Sequence, residues 1–268
     1  LDEEDLCFYQ KATGVEDRDA LATHISAFQR DASEVTNRRY SRPVLARLPG
    51  YDKVLKIGRS RKNPVFLHVG SGLGVDVHKA VVNGYPLHSI ISVDRREAMS
   101  AISHKLFRGA SAETAQSIPF LLGDPLDPYF LEAVWPFYTQ PYAPPPALPT
   151  LKSLNPLHGQ VSVISACFVF DELSAPQQLQ LARGLAGLLS AESGSMIIGV
   201  NRPQSELGRR QMNDTAGAVY DSQECWSDLW DGQLFQKGTV KVETRLRADH
   251  QSTVSHGAWF MEWTVTRL

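Results

Sequence analysis

Val65-Phe66-Leu67-His68-Val69-Gly70-Ser71-Gly72-Leu73-Gly74-Val75-Asp76 is the stretch that decides how this chain folds. A short apolar run breaks into glycines at alternate positions and then takes on helical character. The run reads as a buried strand. The glycines allow a tight turn in which backbone can approach a ligand. A helix beginning near Val75 would point its N-terminal N–H groups at that ligand. The next apolar run, Ser89-Ile90-Ile91-Ser92-Val93, ends at Asp94. A carboxylate at the tip of the second strand of such a unit is placed to hold a ribose diol, so the expected ligand is of nucleotide type.

Working outward, strands and helices alternate: strand 65–69, helix 75–83, strand 89–93, helix 95–107, strand 118–122 and a further helix near 127–135. Strand following helix predicts a mostly parallel sheet. Upstream, Leu21, Ile25 and Phe28 share one helical face, so residues 1–55 read as a helical cap. Pro141-Tyr142-Ala143-Pro144-Pro145-Pro146-Ala147-Leu148-Pro149 excludes helix interior and central strand, and makes 138–158 a proline-rich loop: a surface insertion or the wall of a site. Val161-Ser162-Val163-Ile164-Ser165-Ala166-Cys167 is apolar enough for a central strand. Ser174-Ala175-Pro176-Gln177 then forms a capping box, opening a helix that buries Leu181, Leu185 and Leu188 and stops near Gly194. Ser195 to Val200 is the fifth strand. From Thr239 to Leu246, and again from Trp259 to Val265, alternating patterns predict two antiparallel strands.

The chain has 268 residues, 43% hydrophobic and 21% charged, with a formal net charge of -2. Nothing in that balance calls for a polyanion, so nucleic acid is not an expected partner. Cys7, Cys167 and Cys225 are widely spaced and odd in number, which fits neither a disulfide framework nor a metal cluster and points to a reducing, cytoplasmic setting. No apolar run approaches the roughly 20 residues of a membrane span, and no charged-then-apolar leader opens the sequence.

The glycines at 70, 72 and 74 do not follow the G-x-G-x-x-G spacing of dinucleotide sites. Leu121-Leu122-Gly123-Asp124 closes the third strand with a glycine and a carboxylate suited to an adenine amino group, the lesser alternative being that Asp124 caps a helix starting near Pro125. A parallel α/β sheet that ends in an antiparallel strand pair resembles the class I S-adenosylmethionine-dependent methyltransferase fold. That resemblance implies one Rossmann-like domain over 1–268: a helical cap 1–55 and a core 56–268, whose mostly parallel seven-stranded sheet has an antiparallel C-terminal pair.

More narrowly, V-G-S-G-L-G-V-D-V-H-K-A-V-V-N-G-Y-P together with G-Q-V-S-V-I-S-A-C-F-V-F-D-E-L resembles small fungal natural-product methyltransferases of terpenoid and polyketide pathways, some of which esterify a carboxyl group. The resemblance implies S-adenosyl-L-methionine as cofactor. By position, Gly70, Ser71 and Gly72 would line its methionine end, Asp94 with the adjoining Arg95 its ribose, Gly123 and Asp124 its adenine, and Ser165 with Ala166 the edge beside the sulfonium. Phe168 and Phe170 would face the acceptor, and Tyr40-Ser41-Arg42-Pro43 resembles a segment that closes over the cofactor. Two departures stand out. His68 occupies a position where class I enzymes often carry an acid, and Phe170 one where the relatives often carry histidine.

Methyl transfer from sulfur is an in-line displacement that needs alignment and exclusion of water. A carboxylate acceptor needs no base, whereas a hydroxyl generally benefits from one. Candidate bases are His158, ahead of the fourth strand, and Asp171 and Glu172, after it; the bland alternatives are a loop histidine and acids favouring a helix start. Trp226 and Trp230, or Phe137 and Tyr138, could wall an apolar acceptor pocket, although aromatics at helical spacing also serve as core. The expected partner is a hydrophobic small molecule, and a homodimer is left open. An NAD(P)-dependent oxidoreductase and an inactive, scaffolding member of the same fold are the competing readings.

Overall fold

The computed structural model describes residues 2–36, 42–107, 118–202, 222–249 and 258–268. The sheet contains β1 (Val65–Val69), β2 (Ile90–Asp94), β3 (Phe120–Leu122), β4 (Val161–Cys167), β5 (Met196–Asn201), β6 (Val240–Asp249) and β7 (Ala258–Arg267). Their order across the sheet is β3-β2-β1-β4-β5-β7-β6. The first five strands run parallel, and β7 lies antiparallel to both β5 and β6. Every residue of β1, β2, β4 and β5 is buried, which is why these strands are apolar runs rather than alternating ones.

The helices are α1 (Glu3–Thr13), α2 (Arg18–Val35), α3 (Tyr51–Ser60), α4 (Val75–Val82), α5 (Glu97–Leu106), α6 (Ala175–Leu188) and α7 (Gln223–Trp230). Residues of α3 and α4 pack with Phe66, Val163 and Ile198 on one face of the sheet. On the opposite face, α6 and α7 cover Leu67, Ile164 and Ile197. The N-terminal helices form a smaller core with α4 and α5, in which Leu21 and Ile25 are buried and Phe28 packs at the margin. A boundary drawn at residue 55 falls inside α3.

Two predicted elements differ from what is observed. No helix forms near 127–135. The chain there turns twice: Asp124 Oδ1 accepts from Leu126 N at 3.0 Å and Asp127 Oδ1 from Tyr129 N at 3.0 Å. Pro125 and Pro128 have no N–H to give a helix, and the two aspartates capture their neighbours' donors in Asx turns. Helix α6 carries the predicted capping box, with Ser174 N donating to Gln177 Oε1 at 3.0 Å, but it ends at Leu188 rather than near Gly194. Ser190 N is taken by Val161 O at 2.9 Å, and Gly194, at φ 83°, turns the chain into β5. The proline-rich segment is more than a surface excursion. Its short 3-10 turns, Leu148–Thr150 and Asn155–Leu157, plug Leu148, Leu151, Leu154 and Leu157 into the main core.

Candidate functional site

After β1 the chain builds the sheet outward to β3 and then returns to the other side of β1 with β4. The topological switch therefore lies between β1 and β4, and the carboxyl ends of these strands open the crevice where ligands of open α/β sheets bind. Gly70, Gly72 and Gly74 lie at φ 70°, 52° and 69°, in the left-handed region. Ser71 N is held by Val93 O at 2.9 Å and Gly74 N by Ser71 O at 2.8 Å. At Gly70 space is as restrictive as φ, since a Cβ would stand 2.7 Å from Val169 Cγ2.

Asp94 is buried at the tip of β2, where its Oδ2 accepts from Gly72 N at 2.9 Å and its Oδ1 from Arg96 N at 3.0 Å. A carboxylate oxygen can take a second donor, so Asp94 can hold the turn and still receive hydroxyls from a ligand. The cleft beside it is open to solvent and is lined by Gly70, Asp94, Asp124, Leu126, Val169 and Leu173, among others. Arg95 and Arg96 pair with Glu172 across its rim at 3.5 and 3.4 Å. The buried Ser71 hydroxyl has no hydrogen-bond partner among the described residues.

Beneath the turn lies a polar cluster that the sequence reading touched only in part. His68 Nδ1 hydrogen-bonds the buried Ser165 hydroxyl, and its Nε2 stands 4.0 Å from Asp76 Oδ2. The other Asp76 oxygen accepts from Val44 N at 2.7 Å and Leu45 N at 2.8 Å, tying the segment that leads into α3 to the start of α4. Burial pushes the His68 imidazole down to about 4, so it is neutral. Burial raises the Asp76 carboxyl to about 6, opposed by the two backbone donors.

The remaining expectations sort by position. Gly123 and Asp124 follow β3 as expected. A Cβ at Gly123 would collide with the Phe130 ring, so packing alone demands glycine there. Ser165 and Ala166 are fully buried in β4, beside β1. Arg42 pairs with Asp5 at 3.4 Å, binding the entry segment to α1, while Tyr40 lies outside the described residues. Glu172 lines the cleft, and Asp171 Oδ1 accepts from Arg202 N at 3.0 Å.

Three positions need correction. His158 precedes β4, whereas the cleft lies beyond its carboxyl end; the imidazole Nε2 contacts Glu132 O at 3.0 Å, at the wrong end of the sheet for a base. Phe170 is buried and meets Trp226 edge-on at a centroid distance of 5.0 Å, and it also meets Trp263 at 6.0 Å. Phe170 and Trp226 are therefore core aromatics rather than walls of an acceptor pocket. Phe168 points to the other face of the sheet, toward Phe260. The functional candidates missed in the sequence are Arg96, Val169, Arg202 and Phe260. Only Arg96, two residues beyond the β2 tip, carried a local signal.

The sheet order, with β7 as the single reversed strand, defines the class I S-adenosylmethionine-dependent methyltransferase fold. No protein-family model matches the chain. Among curated proteins, the O-methyltransferase phiE of Fungal sp. (strain ATCC 74256) is 23% identical over 192 residues, covering 71% of this chain and 56% of that protein. The chain thus spans little more than half the length of the relative that it matches. Among solved structures, it is similar to a SAM dependent methyltransferase from Archaeoglobus fulgidus (12% identity, 84% of this chain and 93% of that one, TM-score 0.48). It is also similar to the plantazolicin methyltransferase BpumL in complex with SAH (11% identity, 99% and 96%, TM-score 0.48).

Proposed function

We propose that this chain is an S-adenosylmethionine-dependent methyltransferase acting on an oxygen, carboxylate or hydroxyl, of a hydrophobic small molecule of secondary metabolism. The observation that carries this reading is the cleft at the switch point, lined by Gly70 of the left-handed glycine turn and by the buried Asp94 carboxylate. The residues fit the cofactor: Gly70 and Gly72, held in the left-handed region, let backbone approach a ligand, and Asp94 keeps acceptor capacity for a diol. When bound, the cofactor supplies a methyl group on a positively charged sulfur.

In this reading Gly70, Ser71 and Gly72 line the methionine end, Asp94 and Arg95 flank the ribose, and Gly123 with Asp124 flanks adenine. Ser165 and Ala166 close the floor and exclude water. With His158 at the far end of the sheet, Glu172 in ion pairs with Arg95 and Arg96, and Asp171 Oδ1 accepting from Arg202 N, each candidate from the sequence is distant or engaged. That favours a carboxylate, which reaches the site already ionised. The fungal relative named an O-methyltransferase supports oxygen as the target atom. Among the described residues no helix is long and apolar enough to cross a membrane.

Calorimetric titration with S-adenosylhomocysteine and with NAD tests the cofactor. Binding of the former alone is expected; tight NAD binding without S-adenosylhomocysteine binding would overturn the reading in favour of an oxidoreductase. Incubation with labelled S-adenosylmethionine and a panel of hydrophobic carboxylic acids and phenols, read by mass spectrometry, then tests turnover. Binding without any labelled product would make the chain an inactive, ligand-binding member of the fold.

A further inference from the structure

Beside the cleft, an aromatic and cationic cluster assembles from the ends of β4, β5, β6 and β7. Phe168 follows β4 directly, and its backbone N donates to Val200 O at 2.7 Å. It is held at φ 60°, a left-handed conformation that a bulky side chain adopts only when its surroundings enforce it. Its ring meets Phe260 of β7 at a centroid distance of 5.8 Å and an angle of 63°. Arg202, immediately after β5, lays its guanidinium carbon 5.3 Å from the Phe168 centroid and 5.6 Å from that of Phe260. Arg247 of β6 approaches Phe260 at 4.8 Å from another side.

The two arginines differ in charge balance. Arg247 Nε donates to Oε1 of the buried Glu262, so its charge is compensated. Arg202 forms no side-chain ion pair among the described residues; only its backbone N meets a carboxylate, that of Asp171. Arg202 is exposed, and its guanidinium lies over the Phe168 and Phe260 rings. A guanidinium carries five N–H donors, and among the described residues no carboxylate takes those of Arg202. A guanidinium edge matches the two oxygens of a carboxylate. Arg202 follows β5 at the same end of the sheet at which the glycine turn follows β1: β1 pairs with β4, and β4 pairs with β5. Two strand spacings separate the turn from Arg202, roughly 10 Å.

We propose that Arg202, clamped by Phe168 and Phe260, is the specificity-determining residue that recognises a carboxylate on a hydrophobic, planar acceptor. The inference rests on the methyltransferase reading and names the residue that selects its acceptor. Arg202 holds both carboxylate oxygens in its edge, and a remaining lone pair on one of them forms the new C–O bond. The electron pair of the breaking C–S bond stays on sulfur, and no proton moves. The resulting ester is neutral, so Arg202 holds substrate in preference to product.

The test is equilibrium binding of 2-naphthoate and the isosteric, neutral 2-naphthamide to the full chain, with and without S-adenosylhomocysteine. Wild type should bind the acid about tenfold more tightly than the amide, the ratio expected for a charge-assisted hydrogen bond over a neutral one. Arg202→Gln should remove that preference, Arg202→Lys should restore part of it, and both variants should keep wild-type thermal stability and S-adenosylhomocysteine affinity. A preference that survives Arg202→Gln, or a wild type that binds neither naphthoate nor its amide, overturns the proposal. A wild type that prefers the acid through Arg202 but binds no S-adenosylhomocysteine overturns the cofactor reading and leaves the arginine clamp supported.

Discussion

The buried pair His68 and Asp76 makes a prediction that can be worked through to its sign. Asp76 titrates at about 6 in the folded chain against an ordinary 3.8. A raised carboxyl stabilises the fold fully below the unfolded value, and this contribution is lost as pH rises through the folded one, here from 3.8 to about 6. His68 works in reverse: lowered from 6.5 to about 4, it contributes above 6.5 and is lost as pH falls toward 4. Each amounts to about 3 kcal/mol at about 1.4 kcal/mol per pH unit, so between pH 4 and 6 the two nearly cancel. This pair should therefore give wild-type stability no net slope in that window, and the rise with pH that remains comes from His78, whose imidazole is lowered by burial to about 3.

Asp76→Asn keeps an oxygen for Val44 N and Leu45 N but cannot ionise. It should be close to wild type at pH 4.5, gain about 2 kcal/mol at pH 8, and show stability rising with pH more steeply than wild type, because Asp76 no longer offsets His68. Asp76→Leu strands two backbone donors at a cost of about 2–4 kcal/mol at pH 4.5. Urea unfolding followed by tryptophan fluorescence at pH 4.5, 5.5, 7 and 8 measures all three curves. If the Asn variant loses as much as the Leu variant, or its pH curve superimposes on that of wild type, the assignment of Asp76 as a buried, titrating cap is wrong.

Three further outcomes are expected. Gly70→Ala should cost about 1–2 kcal/mol from its left-handed backbone and abolish S-adenosylhomocysteine binding by calorimetry, with partial rescue by Val169→Ala, since Val169 Cγ2 is the atom a new Cβ meets. Phe170→Ala should lower unfolding free energy by about 3–5 kcal/mol in urea titration, whereas a pocket residue would chiefly raise KM. His158→Ala should leave kcat within about twofold of wild type on any acceptor that labelled-cofactor screening identifies; a hundredfold loss would restore it as a base.

Much of the fold was legible because its signals are local. β1 is apolar save for His68 since both of its faces are covered, the alternate glycines mark the turn, and Ser174 with Gln177 opens α6 through side chains three residues apart. The helix sought near 127–135 failed for an equally local reason: Pro125 and Pro128 remove donors while Asp124 and Asp127 capture others. The site was less legible because its partners are distant in sequence. Nothing around Asp76 signals that its oxygen will cap Val44 and Leu45. Phe168 and Phe170 are two apart, as strand periodicity requires for a shared face, yet the left-handed turn at Phe168 sends them to opposite sides of the sheet. Arg202 owes its setting to a ring on β4's end and another on β7.

The placement of β7 also has a consequence for synthesis on the ribosome. This strand sits between β5 and β6, and among the described residues β6 has no other neighbour in the sheet. As the nascent chain emerges, β6 is complete while the strand that must flank it is still unmade. At that stage both β5 and β6 present open backbone edges that another chain could pair with. Lys241, Glu243, Arg245 and Arg247 recur at every second position along β6, and such charged side chains on an exposed edge discourage strand addition. Replacing these charges with threonine or valine would therefore harm soluble yield during expression more than it lowers the stability of the finished fold.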